Sequence, residues 1–275
     1  MKPVAFDHVA PVDLAAALDL LAERGTRAAP LAGGQSLVPL LNLRRVRPDV
    51  VVDLNHVVGL AGVRVTAGEV RIGAMTRLRV LESHPDVVAA LPVLATAASA
   101  VAHPHVRTRA TLGGSLCHAN PAAELPAAAV ALDARLVLRH RGGARVVPAA
   151  EFFTGPHTTV LAPGELLTEV VVPRVPELRF GFAELARPGG SGYPLVVALL
   201  GVAVEGGVVV AARAAAGGVA PTPVRLPGVE AALPGRRCTA DDLSAGLATA
   251  PVDHAAGHRD AVLRSLLRRI TAGLE

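Results

Sequence analysis

Two segments pair adjacent glycines with polar side chains: Leu31-Ala32-Gly33-Gly34-Gln35-Ser36 and Thr111-Leu112-Gly113-Gly114-Ser115. Glycine reaches positive φ without a Cβ clash, so consecutive backbone N–H groups can turn toward one bound anion. Gln35, Ser36, Thr111 and Ser115 add side-chain donors beside those amides. Taken singly, each segment reads as an ordinary tight turn sooner than as a ligand loop. Taken together, they predict a two-sided cradle for a diphosphate, built from main-chain nitrogens and hydroxyls. Lys2 is the only lysine among the 27 basic residues, so ammonium groups cannot do this neutralising.

Other phosphate and hydrolytic motifs are missing. A P-loop needs Gly-Lys-Ser/Thr, and no Gly-x-Gly-x-x-Gly opens a helix after a strand. There is no Gly-x-Ser-x-Gly elbow and no His-Glu-x-x-His pair. His103-Pro104-His105 has only His118 nearby as a further ligand, which favours a loop-stabilising role over a metal site. Cys117 and Cys238 make no disulfide framework, and they are too few for an iron–sulfur cluster, which takes about four thiolates.

The bulk properties agree with a folded, water-facing protein. Hydrophobic residues are 51% and charged residues 18% of the 275, which excludes disorder. The most apolar stretch, Leu195 to Val204, is one strand long and falls well short of the roughly 20 residues of a membrane helix. Met1-Lys2-Pro3-Val4 leads quickly to Asp7 and Asp13, so no secretory signal is read and a cytoplasmic location is expected. The net charge of +4 comes from dispersed arginines, and aromatics are only 2%, too few for a base-stacking surface, so no nucleic acid is expected.

Three units must position the glycine pairs. In the first, 1–56, Asp13 caps a helix with Leu14, Leu18 and Leu21 on one face and Gly25 as its stop. The strand Ala28–Leu31 then delivers the first pair, and Val50–Leu54 closes the unit. The second, 57–174, opens with a hairpin about Ala67-Gly68 and continues with helical patterns at 78–83, 86–101 and 121–134. Residues 101–110 are predicted to be a loop running into the second pair, and strands near 135–140 and 165–172 finish the unit. The third, 175–275, has long apolar strands at 178–186, 194–205 and 208–216 with a Gly206-Gly207 turn. Helices follow at 226–233, 239–249 and 259–273. The fold class is α+β.

These motifs resemble the flavoprotein subunits of the molybdenum hydroxylases, of the aerobic carbon monoxide dehydrogenase and xanthine dehydrogenase type. Ala32-Gly33-Gly34-Gln35-Ser36-Leu37-Val38-Pro39 with Asn42-Leu43-Arg44 is similar to the family's first flavin-binding segment. His103-Pro104-His105-Val106-Arg107, Thr111-Leu112-Gly113-Gly114-Ser115-Leu116 and Ala119-Asn120-Pro121-Ala122-Ala123-Glu124-Leu125-Pro126 are similar to the second. Phe152-Phe153-Thr154-Gly155, Thr158-Thr159 and Pro163-Gly164-Glu165-Leu166-Leu167 match a third stretch, and Asp253-His254-Ala255 with Arg259-x-x-Val262-Leu263 a closing one. Asn120, Cys117 and His258 depart from the Asp, Ala and Tyr usual in relatives.

The resemblance implies a PCMH-type FAD-binding fold, with noncovalent FAD between two N-terminal α/β subdomains and a C-terminal sheet packed with helices. It places the diphosphate at Ala32, Gly33, Gly34, Gln35, Ser36 and at Thr111, Leu112, Gly113, Gly114, Ser115. Glu124 falls at a ribityl or ribose contact, although a helix N-terminal carboxylate favoured by the dipole accounts for it too. Leu167 falls beside the adenine half, where a core leucine is the alternative. Tyr193, the only tyrosine, falls beside the isoalloxazine. The implied role is electron transfer without a catalytic acid or base on this chain. A large molybdenum subunit and a small [2Fe–2S] subunit are the implied partners, in a dimer of heterotrimers. A stand-alone flavin oxidase or reductase, and a flavin-free assembly module, are the rival functions.

Overall fold

The computed structural model describes residues 2–186, 192–252 and 257–274. Its first elements are β1 (Asp7–Val9), α1 (Leu14–Arg24), β2 (Ala28–Leu31), α2 (Leu37–Asn42) and β3 (Val50–Asp53). β3 lies between β1 and β2 and runs parallel to both. Parallel pairing requires crossovers, and α1 supplies one. The Asp13 side chain accepts from the Ala16 amide at 2.8 Å, and Gly25 ends the helix at φ 54°. Leu18 and Leu21 bury against Val50 and Val52 in a small separate core.

The middle elements are β4 (Val63–Val65), β5 (Glu69–Gly73), α3 (Leu78–Leu81), α4 (Pro85–Ala90), α5 (Pro92–Ala100), α6 (Pro104–Arg107), α7 (Leu112–His118), α8 (Glu124–Ala131), β6 (Arg135–His140), β7 (Gly143–Pro148), α9 (Ala149–Phe152), β8 (Phe153–Gly155), β9 (Thr158–Thr159) and β10 (Leu166–Pro173). They form an antiparallel sheet in the order β4-β5-β10-β6-β7, with β8 and β9 as a separate hairpin. The predicted helix over 86–101 is two helices, because Pro92 cannot donate within a helix and starts a new one. The predicted loop at 101–110 contains α6, which Pro104 opens for the same reason. The second glycine pair is not a turn: Gly113 and Gly114 lie inside α7.

The last elements are β11 (Leu178–Leu185), β12 (Val196–Glu205), β13 (Val208–Gly217), β14 (Val224–Arg225), α10 (Pro227–Ala232), α11 (Ala240–Thr249) and α12 (His258–Thr271). The four strands pair antiparallel in chain order. Alternation along β12 serves two cores. Val196, Ala198, Leu200 and Val202 pack with Leu233, Leu243, Leu263 and Ile270. Val197 and Leu199 join the middle unit's core with Leu125 and Ala128 of α8. That shared core holds the C-terminal sheet against α8, and so fixes one wall of the site. Asp253-His254-Ala255 lies outside the described residues. Among the described residues no helix is long and apolar enough to cross a membrane.

Candidate functional site

The two glycine segments face one cavity of about 520 Å³, a size typical of small-molecule sites. Gly33, Gly34, Gln35 and Ser36 line it from one side, and Thr111, Gly113, Gly114 and Ser115 from the other. Glu124, Leu167 and Tyr193 line it as well, and Ala32 stands between the segments. Leu112 alone among the predicted residues points into the core, where it is 1% exposed.

The segments touch through their glycines. A Cβ on Gly33 would sit 2.2 Å from the Arg109 carbonyl oxygen and 2.8 Å from Ala110 Cα, so only glycine fits there. A Cβ on Gly114 would fall 2.8 Å from Thr111 Oγ1 and 3.4 Å from Ala32 Cβ. Gly34 is at φ 75°, which turns the chain from β2 into α2.

Their backbone amides differ. Those of Gly33, Gly34, Gln35 and Ser36 donate to no protein acceptor among the described residues. In the second segment every amide from Leu112 to Ser115 is already used. Leu112 donates to the Thr76 carbonyl at 3.0 Å, Gly113 to that of Ala74 at 2.8 Å, and Ser115 to that of Thr111 at 3.0 Å. The Gly114 amide donates to Thr111 Oγ1, also at 3.0 Å, which caps α7. The expectation of main-chain nitrogens from both bends is thus corrected. One side presents amides, and the other presents the bare backbone of Gly113 and Gly114 between Thr111 and Ser115. Gln35 Nε2 donates back to the Gly33 carbonyl at 3.1 Å, which stiffens the first segment instead of reaching into the cavity.

The far end of the cavity collects the titratable groups. Glu124 opens α8 and is 3% exposed. Burial pushes its carboxyl up to about 7, and the neighbouring Glu184 adds to the rise. Glu184 on β11 is itself raised by burial, against the pull of Arg269, and its Oε2 is buried with no hydrogen-bond partner among the described residues. Burial also raises the Tyr193 phenol, the nearby Ser36 hydroxyl pulls it partly back, and Glu124 adds to the rise. The Tyr193 ring lies at 29° to the His118 ring with centroids 6.1 Å apart, and His118 stands 4.7 Å from His157. Sequence reasoning missed His118 here, since a lone histidine after an apolar helix carries no signal of its own.

Burial pushes the Cys117 thiol, another lining group, up to about 12. His103 and His105 stack on each other with centroids 5.6 Å apart. Among the described residues no group of three or more His, Cys, Asp or Glu could hold a metal ion.

A cleft with four free amides at a glycine bend and mostly apolar walls defines a protein that holds a dinucleotide cofactor. The family model of the FAD binding domain in molybdopterin dehydrogenase matches residues 4–175, and that of the CO dehydrogenase flavoprotein C-terminal domain matches 181–271. The chain is 38% identical to the 6-hydroxypseudooxynicotine dehydrogenase complex subunit alpha of Paenarthrobacter nicotinovorans, over 99% of this chain and 95% of that one. It is 37% identical to the carbon monoxide dehydrogenase medium chain of Hydrogenophaga pseudoflava, over 89% and 85%. A solved carbon monoxide dehydrogenase from that organism, lacking the Mo-pyranopterin moiety, superposes with a TM-score of 0.90 at 33% identity, over 100% of this chain and 98% of the other. Quinoline 2-oxidoreductase of Pseudomonas putida 86 gives 0.89 at 35%, over 100% and 96%.

The chain therefore belongs to the FAD-binding, medium-subunit family of the molybdenum hydroxylases. Its cofactor is FAD, and it is the electron-transfer flavoprotein subunit of such a complex. The expected PCMH-type α+β fold is the one observed.

Proposed function

We propose that FAD lies along the 520 Å³ cleft with its diphosphate at Ala32–Ser36 and Thr111–Ser115. The observation that carries this placement is the set of four unbonded amides from Gly33 to Ser36, facing the bare backbone of Gly113 and Gly114. Oriented amides in a site shielded from water neutralise an anion without a lysine. Glu124 meets the ribityl or ribose hydroxyls, Leu167 the adenine half and Tyr193 the isoalloxazine. The chain divides at 56 and 174, with the cleft among the three units.

When bound, FAD supplies the redox chemistry, taking electrons up and passing them on. The residues of this chain hold and insulate it. Leu167, Met75 and Leu161 keep water from the walls. Glu124, titrating at about 7, holds a proton below neutrality and adds no second fixed negative charge beside the diphosphate. No side chain need act as acid or base.

A small partner carrying two [2Fe–2S] clusters delivers single electrons from the large molybdenum subunit, in a cytoplasmic dimer of heterotrimers. The external acceptor is a quinone, NAD or oxygen. The medium-chain relatives and the absence of iron-ligating cysteine clusters in this chain support that division of labour.

The test is FAD uptake by the purified full chain after its flavin is stripped. Bound flavin absorbance should return, with stabilisation of about 2.7 kcal/mol at a hundredfold excess over Kd. A chain that neither takes up FAD nor melts later in its presence refutes the placement.

A further inference from the structure

Arg77 sits between β5 and α3 and makes a β-bridge with Thr111. Its guanidinium donates in two directions. Nη1 reaches the Arg109 carbonyl at 2.5 Å, at the entrance to the second glycine segment. Nη2 reaches Asn55 Oδ1 at 2.6 Å. The Asn55 amide nitrogen in turn donates to the Ala32 carbonyl at 3.0 Å, at the start of the first segment. Asn55 is held by Asp53, whose Oδ1 accepts from its backbone amide at 2.9 Å and from its side chain at 2.5 Å. His8 on β1 lies 3.3 Å from the other Asp53 oxygen. A chain of polar contacts thus runs from the first sheet through Asn55 and Arg77 to the backbone beside Thr111.

The energetics of this arrangement are unusual. The guanidinium is partly buried, which pulls its pKa down, and Arg109 repels it while Asp53 attracts it. Both of its acceptors are neutral carbonyl oxygens. A planar fork can bridge two acceptors at fixed separation, whereas an ammonium engages them as a single point charge. Position 33 admits no Cβ because the segments press together there, so small changes in their spacing alter the cradle.

We propose that Arg77, acting through Asn55, is a positioning residue that sets the spacing of the two glycine segments and thereby the affinity for the FAD diphosphate. The inference rests on the placement of FAD given above. It assigns a role to two residues that need not touch the cofactor. The positive charges of Arg77 and Arg109 beside the two segments also favour a bound anion.

The experiment titrates FAD into the flavin-stripped full chain, following fluorescence quenching. Arg77→Met should bind FAD at least about tenfold more weakly. Arg77→Lys should stay within about twofold of Arg77→Met, since one ammonium does not bridge both acceptors. Adding Asn55→Ala to Arg77→Met should cost nothing further, because both belong to one relay. The phosphorus NMR signals of bound FAD should shift in Arg77→Met, a change that loss of fold stability alone does not produce. Wild-type affinity in Arg77→Met, full rescue by lysine, or independent effects that multiply would each overturn the relay. Should Arg77→Met fail to fold, Asn55→Ala alone must weaken FAD binding about threefold or more. Unchanged affinity there overturns the inference. Failure of the wild-type chain to bind FAD sinks the placement itself, which keeps the two outcomes distinct.

Discussion

Around Gly33 the backbone leaves four consecutive amides unbonded, while around Gly113 each amide from Leu112 to Ser115 has a protein acceptor. The two segments share a glycine pair and a following polar residue, yet one is a bend before a short helix and the other is the first turn of α7. The first uses glycine at positive φ to expose donors. The second uses it to let α7 press against Ala74, where a Cβ on Gly113 would fall 2.6 Å from the Ala74 Cβ. The same dipeptide therefore serves ligand contact on one side of a cleft and internal packing on the other. Except at Gly33, whose Cβ would strike the Arg109 carbonyl, changes in the first should act on affinity before stability, and changes in the second on stability before affinity.

The harshest way to break this contrast is the Gly33→Val, Gly114→Val double variant. Valine at 33 must displace the 109–110 backbone, which links the two segments and exceeds the roughly 1–3 kcal/mol of ordinary overpacking. The protein should purify without flavin absorbance and melt earlier. Normal flavin content would refute the cradle.

Next in size is a pH effect on the far wall. The Glu124 carboxyl is raised from its ordinary 4.5 to about 7. The folded state therefore binds a proton that the unfolded chain has released, and stability is lost as pH rises through that window. The loss is on the order of 3 kcal/mol for this one buried group. Thermal melts of the stripped chain at pH 5 and pH 8 should show it, and Glu124→Gln should flatten the slope.

Thr111→Val removes the cap of α7 and should cost about 1 kcal/mol in denaturant unfolding. FAD affinity should follow only as far as α7 frays. Ser36→Ala is the mirror case. It loses a hydroxyl at the free-amide bend, so FAD should bind about three- to tenfold more weakly with little change in the melting of the stripped chain. If Ser36→Ala destabilised the protein more than Thr111→Val did, the contrast would be reversed.

Much of this was legible in the residues. The Asp13 cap, the Gly25 stop and the Gly206-Gly207 turn are local signals, and each stands where its type dictates. The gathering of Gly33, Gly114, Glu124 and Tyr193 on one cleft came from ordered motifs rather than from any local rule. What the sequence hid has a common cause. Gly113 and Gly114 read as a turn because glycine weakens helices, but the Thr111 cap and the contact with Ala74 outweigh that propensity. Pro92 and Pro104 read as interior or loop residues, yet each opens a helix where a missing N–H costs nothing. The Asn55–Arg77 contact joins positions 22 apart in sequence whose types carry no pattern, and only the coordinates bring them together.

Cys117 has one further consequence. A sulfhydryl held at about 12 stays protonated at every pH a cell experiences, and peroxides attack thiolates, not thiols. Reduced flavins that meet oxygen release such oxidants. The thiol that lines this cleft is thereby kept out of sulfenic-acid chemistry.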